Sequence, residues 1–343
     1  MSTHALTIIG SGGVILPTMG NEELMMLLGD PRPASWPFEK LGIERHSLNL
    51  NLDGMKIMPT TGLDYAEMAA QNALRAGGIH PERVKHLVLL TCTPNELHFQ
   101  RDAITLAHRL GLCRTVTIQQ LDPGCAGVAS GLQLIEAFYR LQDGDDWYAL
   151  IVATNDVASS FNRERYQRVR GAWVAPAIFG DGAGAILLGP GEGPHLVGTY
   201  VAYEPEHPLV FYRGGGVSCP TTETSIDEHV YLVDVHDVAG SFAPAMERVW
   251  QHFSERYGIS VGDIGRFYLH QANLNLIKGL VGALGIPEER APHNVDRFAN
   301  TVSASTLLLV DEDCRAGRYP KDQPIIFMLV GAGAVEGGAL FMP

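Results

Sequence analysis

Hydrophobic and polar positions along this 343-residue chain switch between two periods. Short, nearly continuous apolar runs bounded by Gly, Pro or Asp predict buried strands over residues 5–16, 87–91, 116–121, 148–153, 185–188, 267–269 and 325–330. Between them, apolar residues recur at three- and four-residue spacing over 66–75, 103–110, 128–141, 243–256, 274–284 and 303–316, which predicts helices. Strands alternating with helices predict an α/β fold. No Pro/Ser-rich linker or low-complexity tract interrupts the pattern, so one continuous body is expected.

The pattern also repeats. Residues 76–92 read as helix end, polar turn and buried strand, and residues 256–271 read the same way. Further on, Asp122-Pro-Gly-Cys125 and Asp296-Arg-Phe-Ala-Asn300 each lead into a helix expected to be amphipathic, so Cys125 and Asn300 occupy nearly equivalent places. The Gly-rich segments Gly180-Asp-Gly-Ala-Gly-Ala185 and Gly331-Ala-Gly-Ala-Val-Glu-Gly-Gly338 follow as strands. Two similar halves are expected, residues 1–190 and 191–343.

Composition narrows the class. Charged residues make up 18%, below the roughly 25% usual for soluble domains, which argues for a large interior and against disorder. The chain carries 38 Asp and Glu against 25 Lys and Arg, so nucleic acid and anionic membranes are not expected partners. Its five cysteines contain no Cys-x-x-Cys spacing, which fits neither a disulfide framework nor a zinc site and points to a reducing, cytoplasmic setting. No basic stretch precedes the glycine-interrupted first residues, and no apolar run reaches the roughly 18 residues of a membrane helix, so neither a signal peptide nor a span is expected. Phosphate-loop, His-Glu-x-x-His and Gly-x-Ser-x-Gly motifs are missing, and no metal or resident cofactor is expected.

One arrangement carries chemistry. Cys125 stands after a strand and a Pro-Gly turn, at the start of a helix, where backbone N–H groups and the helix dipole favour a thiolate. A buried structural cysteine is the commoner fate of this residue type, so Cys125 gains weight from its partners. His270 stands at a strand end, and Asn300 is an amide in small, apolar surroundings that must find hydrogen-bond partners. Together they make a Cys-His-Asn set.

With these residues in place, the chain resembles the β-ketoacyl-[acyl-carrier-protein] synthase III-like ketosynthases of the thiolase superfamily over nearly its whole length. The resemblance is carried by Gly42-Ile-Glu-Arg-His46, Gly124-Cys-Ala-Gly127, Phe179-Gly-Asp-Gly-Ala-Gly-Ala185, His270-Gln-Ala-Asn273, Asn300-Thr-Val-Ser-Ala-Ser305 and the closing Gly331 to Gly338. It implies a thiolase-like five-layered αβαβα fold of two similar halves, the first carrying the nucleophile Cys125 and the second His270 and Asn300. It further implies acyl transfer from a thioester to Cys125, then decarboxylative Claisen condensation with a malonyl-type thioester. The backbone amides of Cys125 and Ala332 would form the oxyanion hole. Trp36, Lys40, Arg170 and Asn273 would hold coenzyme A or a pantetheine arm, and Phe99 of each subunit of a homodimer would enter the other's acyl pocket. Acyl-coenzyme A and acyl carrier protein are the implied partners.

The four arginines Arg163, Arg165, Arg168 and Arg170 read either as a solvated helix face or as a local basic rim for pantetheine phosphates. Asn275 stands where the family commonly has a docking arginine, and residues 199–230 depart from the housekeeping enzymes, which points toward polyketide or other secondary metabolism rather than fatty-acid initiation. Three other readings remain: an acyltransferase that passes the acyl group to a hydroxyl or amine, a non-catalytic partner subunit, and a papain-type hydrolase, which usually needs disulfides and has no two-half repeat.

Overall fold

The computed structural model describes residues 6–33, 35–141, 147–204, 209–212, 214–222 and 229–343, the side chains of 35–37 aside. Its main sheet has nine strands: β1 (Leu6–Ile15), β2 (Val84–Leu90), β3 (Thr117–Leu121), β4 (Tyr148–Asn155), β5 (Gly182–Pro190), β6 (His195–Tyr203), β7 (Arg266–Leu269), β8 (Ile325–Gly331) and β9 (Val335–Met342). Their spatial order is β7-β8-β9-β6-β1-β5-β4-β2-β3. Strand β2 runs parallel to β3 and β4, whereas β5 is antiparallel to both β4 and β1. Across the seam, β7 runs parallel to β8, and β9 is antiparallel to both β8 and β6. The two sets share one order and one pattern of directions, except that no strand among the described residues answers β3. A single pair, Thr7 with His195, joins them.

Six long helices complete the layers: α1 (Gly62–Gly77), α2 (Arg101–Arg109), α3 (Gly127–Arg140), α4 (Val235–Tyr257), α5 (Leu274–Leu284) and α6 (Ser303–Arg315). Helices α1 and α2 cover the outer face of the first strand set, and α4 packs on β8 and β9 with α5 beside it. Helix α3 touches β6, β8 and β9 as well as β2 and β4, and α6 touches β1, β4 and β5 as well as β7. Both therefore lie between the two strand sets, and the result is the five-layered αβαβα thiolase fold. Separate apolar clusters fill the outer first, middle and outer second interfaces.

The sequence explains the close stacking. Helix α1 starts at a capping box in which the Thr61 N–H donates to Asp64 Oδ2 at 2.7 Å, and it buries Ala66, Ala69, Ala70 and Ala73. This small face lies against glycines of β1: a Cβ at Gly12 would stand 2.2 Å from the Ala69 carbonyl oxygen. On the opposite face of the strand, a Cβ at Gly13 would meet Asp311 Oδ2 of α6 at 2.8 Å. Part of the glycine surplus thus sets the distance between layers.

The structure corrects three expectations. Helix α6 is not amphipathic; it buries every residue from Ser303 to Asp311, because the middle layer has no solvent face. The segment Gly331 to Gly338 is not one strand: Gly331 ends β8, residues 332–334 turn, and Val335 to Gly338 open β9. Strand β6 was not expected, because Gly198 and Thr199 split its apolar positions into two short runs and most of it is only partly buried. No helix among the described residues is long and apolar enough to cross a membrane.

Candidate active site

After β3, the chain turns through Asp122 and Pro123 into one 3-10 turn, Gly124–Ala126, that runs directly into α3. Gly124 takes φ +61°, a conformation that strains residues with a Cβ, and a Cβ there would lie 2.9 Å from the Ala332 nitrogen. Gly331 presses on the same turn: a Cβ would come within 2.7 Å of the Ala126 nitrogen and 2.9 Å of the Cys125 nitrogen. The two amides expected to bind an oxyanion, those of Cys125 and Ala332, therefore belong to backbone segments in direct contact. From the start of α6, Ser303 Oγ donates to the Gly124 carbonyl at 2.6 Å, tying the two central helices together beside Cys125.

Cys125 is buried, and that burial pushes its thiol up to about 12, opposed by a hydrogen bond from Asn300. Enclosure thus works against the easier ionisation expected at the helix start.

Asn300 is fixed by its own backbone and by its neighbours. Its N–H donates to the Ile178 carbonyl, its carbonyl accepts from the Gly180 N–H, and it forms a β-bridge with Phe179. Ala299 and Val302 hold φ of +60° and +57° on either side, and the Val302 N–H donates to Asn300 Oδ1 at 2.8 Å. An N–H donor at that point identifies the oxygen of the side-chain amide. The nitrogen, Nδ2, is then left 3.6 Å from Cys125 Sγ, within reach to donate.

His270 follows β7 directly; its N–H donates to the Met328 carbonyl, and its ring centroid lies 5.9 Å from that of Phe242. Burial holds the imidazole down to about 3, so it is neutral across the physiological range.

A cavity of about 320 Å³ brings Cys125, His270, Asn300 and Ala332 together with Lys40 and Asn273. Its remaining walls are largely apolar, including Leu41, Val238 and Phe242. A second cavity, of about 290 Å³, shares the Cys125, Phe179, Val210 and Ala332 walls. It continues past Cys92, Asp122 and Tyr231 into an open chamber of about 900 Å³ that includes Phe99. The thiol therefore stands between two spaces.

The structure places the other expected residues unevenly. Lys40 lies at the first cavity, and Asn273 both lines it and caps α5 by accepting from the Leu276 N–H at 2.9 Å. Phe99 is 87% exposed at the wide chamber. Trp36 lies in the short helix Ser35–Leu41, but its side chain is outside the described residues. Arg170 is exposed and lines neither cavity. The basic rim is reduced as well: Arg163 donates to the Leu27 and Leu52 carbonyls and Arg165 to that of His229, so both serve as structural ties.

Sequence reasoning missed three supports. Ser303 lay inside a quoted motif without a role. Asp181, also inside one, is fully buried and accepts from the Asn49 and Ala158 N–H groups, and burial pushes its carboxyl up to about 7. Asn275, noted only as a departure, donates to the Lys40 carbonyl at 2.8 Å and pins the short helix to α5.

Comparison with known proteins agrees with this fold. Residues 254–342 match the family model for the C-terminal part of 3-oxoacyl-[acyl-carrier-protein] synthase III, and residues 46–192 match that for the N-terminal domain of chalcone and stilbene synthases. The β-ketoacyl-[acyl-carrier-protein] synthase III of Methylococcus capsulatus is 26% identical over 334 residues, 97% of each chain. The tetronic acid condensing enzyme AbyA1 superposes with a TM-score of 0.85 at 21% identity, covering 98% of this chain and 100% of that one. Xanthomonas campestris OleA, solved with lauric acid and lauroyl-CoA, superposes with a TM-score of 0.81 at 16% identity over the full length of both. The five-layered fold defines a thiolase-superfamily protein. Within that class, the chain is similar to the β-ketoacyl synthase III-like ketosynthases, a family of condensing enzymes.

Proposed function

We propose that this chain is a condensing acyltransferase that uses Cys125 as the acyl acceptor. In the first half-reaction, the Cys125 sulfur attacks the carbonyl of an acyl thioester, its proton passes to the departing thiolate, and an acyl-cysteine forms. In the second, a malonyl-type thioester loses carbon dioxide, and the resulting enolate carbon attacks the acyl carbonyl. The carbon–sulfur bond to Cys125 breaks and the thiolate regains a proton, releasing a β-ketoacyl thioester. Coenzyme A or phosphopantetheine thioesters enter as substrates, and the chemistry runs on side chains without a resident cofactor.

The observation that carries this reading is the shared enclosure of Cys125, His270 and Asn300, with the Asn300 amide nitrogen turned to the thiol. A neutral imidazole and an amide can both donate hydrogen bonds to a thioester carbonyl as it becomes an enolate, and neither introduces a charge. An amide cannot remove a proton from carbon, which favours decarboxylation as the source of the enolate. The amides of Cys125 and Ala332 would hold the oxyanion during acyl transfer. Lys40 and Asn273 would border the pantetheine arm, with Trp36 and Arg170 further out at the mouth. In the same reading, the chain divides after Pro190 into two related halves, Phe99 reaches across a homodimer, and the product belongs to polyketide or other secondary metabolism.

Carbon dioxide release from malonyl-coenzyme A tests the condensing step. Removing one preorganised donor costs about 10²–10³-fold in rate, and a loss of that order is expected for Asn300→Ala. No release by the wild type, with acyl transfer to a small alcohol or amine intact, would favour the plain acyltransferase instead.

A further inference from the structure

The space beyond Cys125, away from His270, has a polarity that restricts what the acyl group can be. Three side chains that line it have each committed one proton to the protein. Tyr231, partly buried at this wall, donates its hydroxyl to the Cys92 carbonyl at 2.6 Å. Asn155 donates from Nδ2 to the Gly180 carbonyl at 2.8 Å. Thr93 accepts the Asp156 N–H at 2.8 Å, which leaves its own hydroxyl 3.5 Å from Asn155 Oδ1. Tyr231 can still offer oxygen lone pairs, Asn155 keeps one N–H beside its Oδ1, and Tyr212 adds a hydroxyl to the same walls. Asp122 is exposed at the same wall, three residues before the nucleophile, and adds an acceptor-only carboxylate. Among the described residues, no Lys or Arg lines this cavity or the wide chamber beyond it.

A saturated alkyl chain placed here would strip water from several acceptors and return nothing to them. A carboxylate-bearing chain would meet Asp122 with like charge. We infer that the acyl group carried by Cys125 bears a hydrogen-bond donor, a hydroxyl or an ammonium, that reaches the acceptors Asp122 and Tyr231. This inference rests on the reading of Cys125 as the acyl acceptor and gives that site a substrate class.

The test compares isosteric acyl groups. Rates of Cys125 acylation are followed by intact-protein mass spectrometry with 3-hydroxybutyryl-coenzyme A against 3-methylbutyryl-coenzyme A, and with 4-aminobutyryl-coenzyme A against pentanoyl-coenzyme A. In each pair, a donor group replaces a methyl. A hydrogen bond to a charged partner supports a preference of about tenfold or more, expected for at least one donor-bearing member of the wild-type panel; which pair shows it separates hydroxyl from ammonium. In Asp122→Leu the ratio should fall to about one or reverse. Asp122→Asn, the milder change, keeps an acceptor and should retain a hydroxyl preference while losing any ammonium preference. Because ratios within one protein are read, a general loss of rate in a variant does not mimic the effect. Equal or faster acylation by both methyl isosteres, or a preference untouched in Asp122→Leu, overturns this inference and leaves Cys125 as acceptor. No acylation by any of the four overturns both.

Discussion

Cys125 and Asn300 stand at matching points of the two strand sets, each a few residues before the central helix that follows, yet they are held in opposite ways. The Cys125 turn is permissive by composition: Gly124 takes its left-handed conformation without a Cβ, and Gly331 lets the facing turn press against it. The Asn300 turn is held by force, with Ala299 and Val302 kept at positive φ by a bridge to Phe179 and by the side chain of Asn300 itself. A nucleophile must change bonding and accept a carbonyl at close range, so open backbone beside it is useful. A hydrogen-bond donor must stay where it is. One architecture used twice thus serves two demands, and the link between them is Ser303, which reaches from one helix start to the other turn.

The largest way to break this comparison is to give Asn300 the charge its position lacks. In Asn300→Asp, the donor nitrogen is replaced by an oxygen and a carboxylate is placed beside the thiol. Carbon dioxide release should fall by at least about 10³-fold, and by more than in Asn300→Ala, because the amide's donor is lost and like charge opposes both thiolate and enolate. The backbone contrast is tested next by Gly331→Ala, whose new Cβ would stand 2.7 Å from the Pro123 carbonyl oxygen and the Ala126 nitrogen. Overpacking of this kind costs about 1–3 kcal/mol, read as a lower denaturation midpoint. Ser303→Ala removes the link and leaves the buried Gly124 carbonyl without this donor; it should cost about 1–2 kcal/mol in the same measurement.

Two pH measurements sharpen the electrostatic side. The Cys125 thiol is pushed up to about 12, so its alkylation by iodoacetamide, followed on the tryptic peptide, should keep rising well above the range near 8.5 where an ordinary exposed thiol levels off. His270 is held down to about 3 against 6.5 when unfolded. The unfolded chain binds more protons between those values, so stability contributed by the neutral buried ring is present above about pH 6.5 and is lost as pH falls toward 3. His46, also held down to about 3 by burial, acts in the same direction. Removing one ring in His270→Gln should therefore flatten part of the acid loss in a denaturation series, a smaller effect than the others.

Much of this site was legible in the sequence because it sits on short, contiguous motifs. Gly124-Cys-Ala-Gly127, His270-Gln-Ala-Asn273 and Asn300-Thr-Val announced residues that the fold brings around one cavity. What could not be read were the properties set by distant neighbours. The helix start suggested an easily ionised Cys125, but the cost of ionisation comes from the layers that enclose it. The arginines at 163 and 165 looked like a surface rim until Leu27, Leu52 and His229 supplied carbonyls for them. Helix α6 looked amphipathic because Asp and Ser interrupt it, and only its place in the middle layer shows that those polar residues are buried and bonded, as Asp311 is by Ser11. Strand β6 carried only two short apolar runs, split by Gly198 and Thr199.

The central claim is that Cys125 becomes acylated, and intact-protein mass spectrometry after brief exposure to an acyl-coenzyme A panel tests it most directly. The wild type should gain one acyl mass, located by digestion to the peptide containing Cys125, and Cys125→Ala should gain none. Acylation that persists in Cys125→Ala, or a wild type that no thioester labels, would contradict the account.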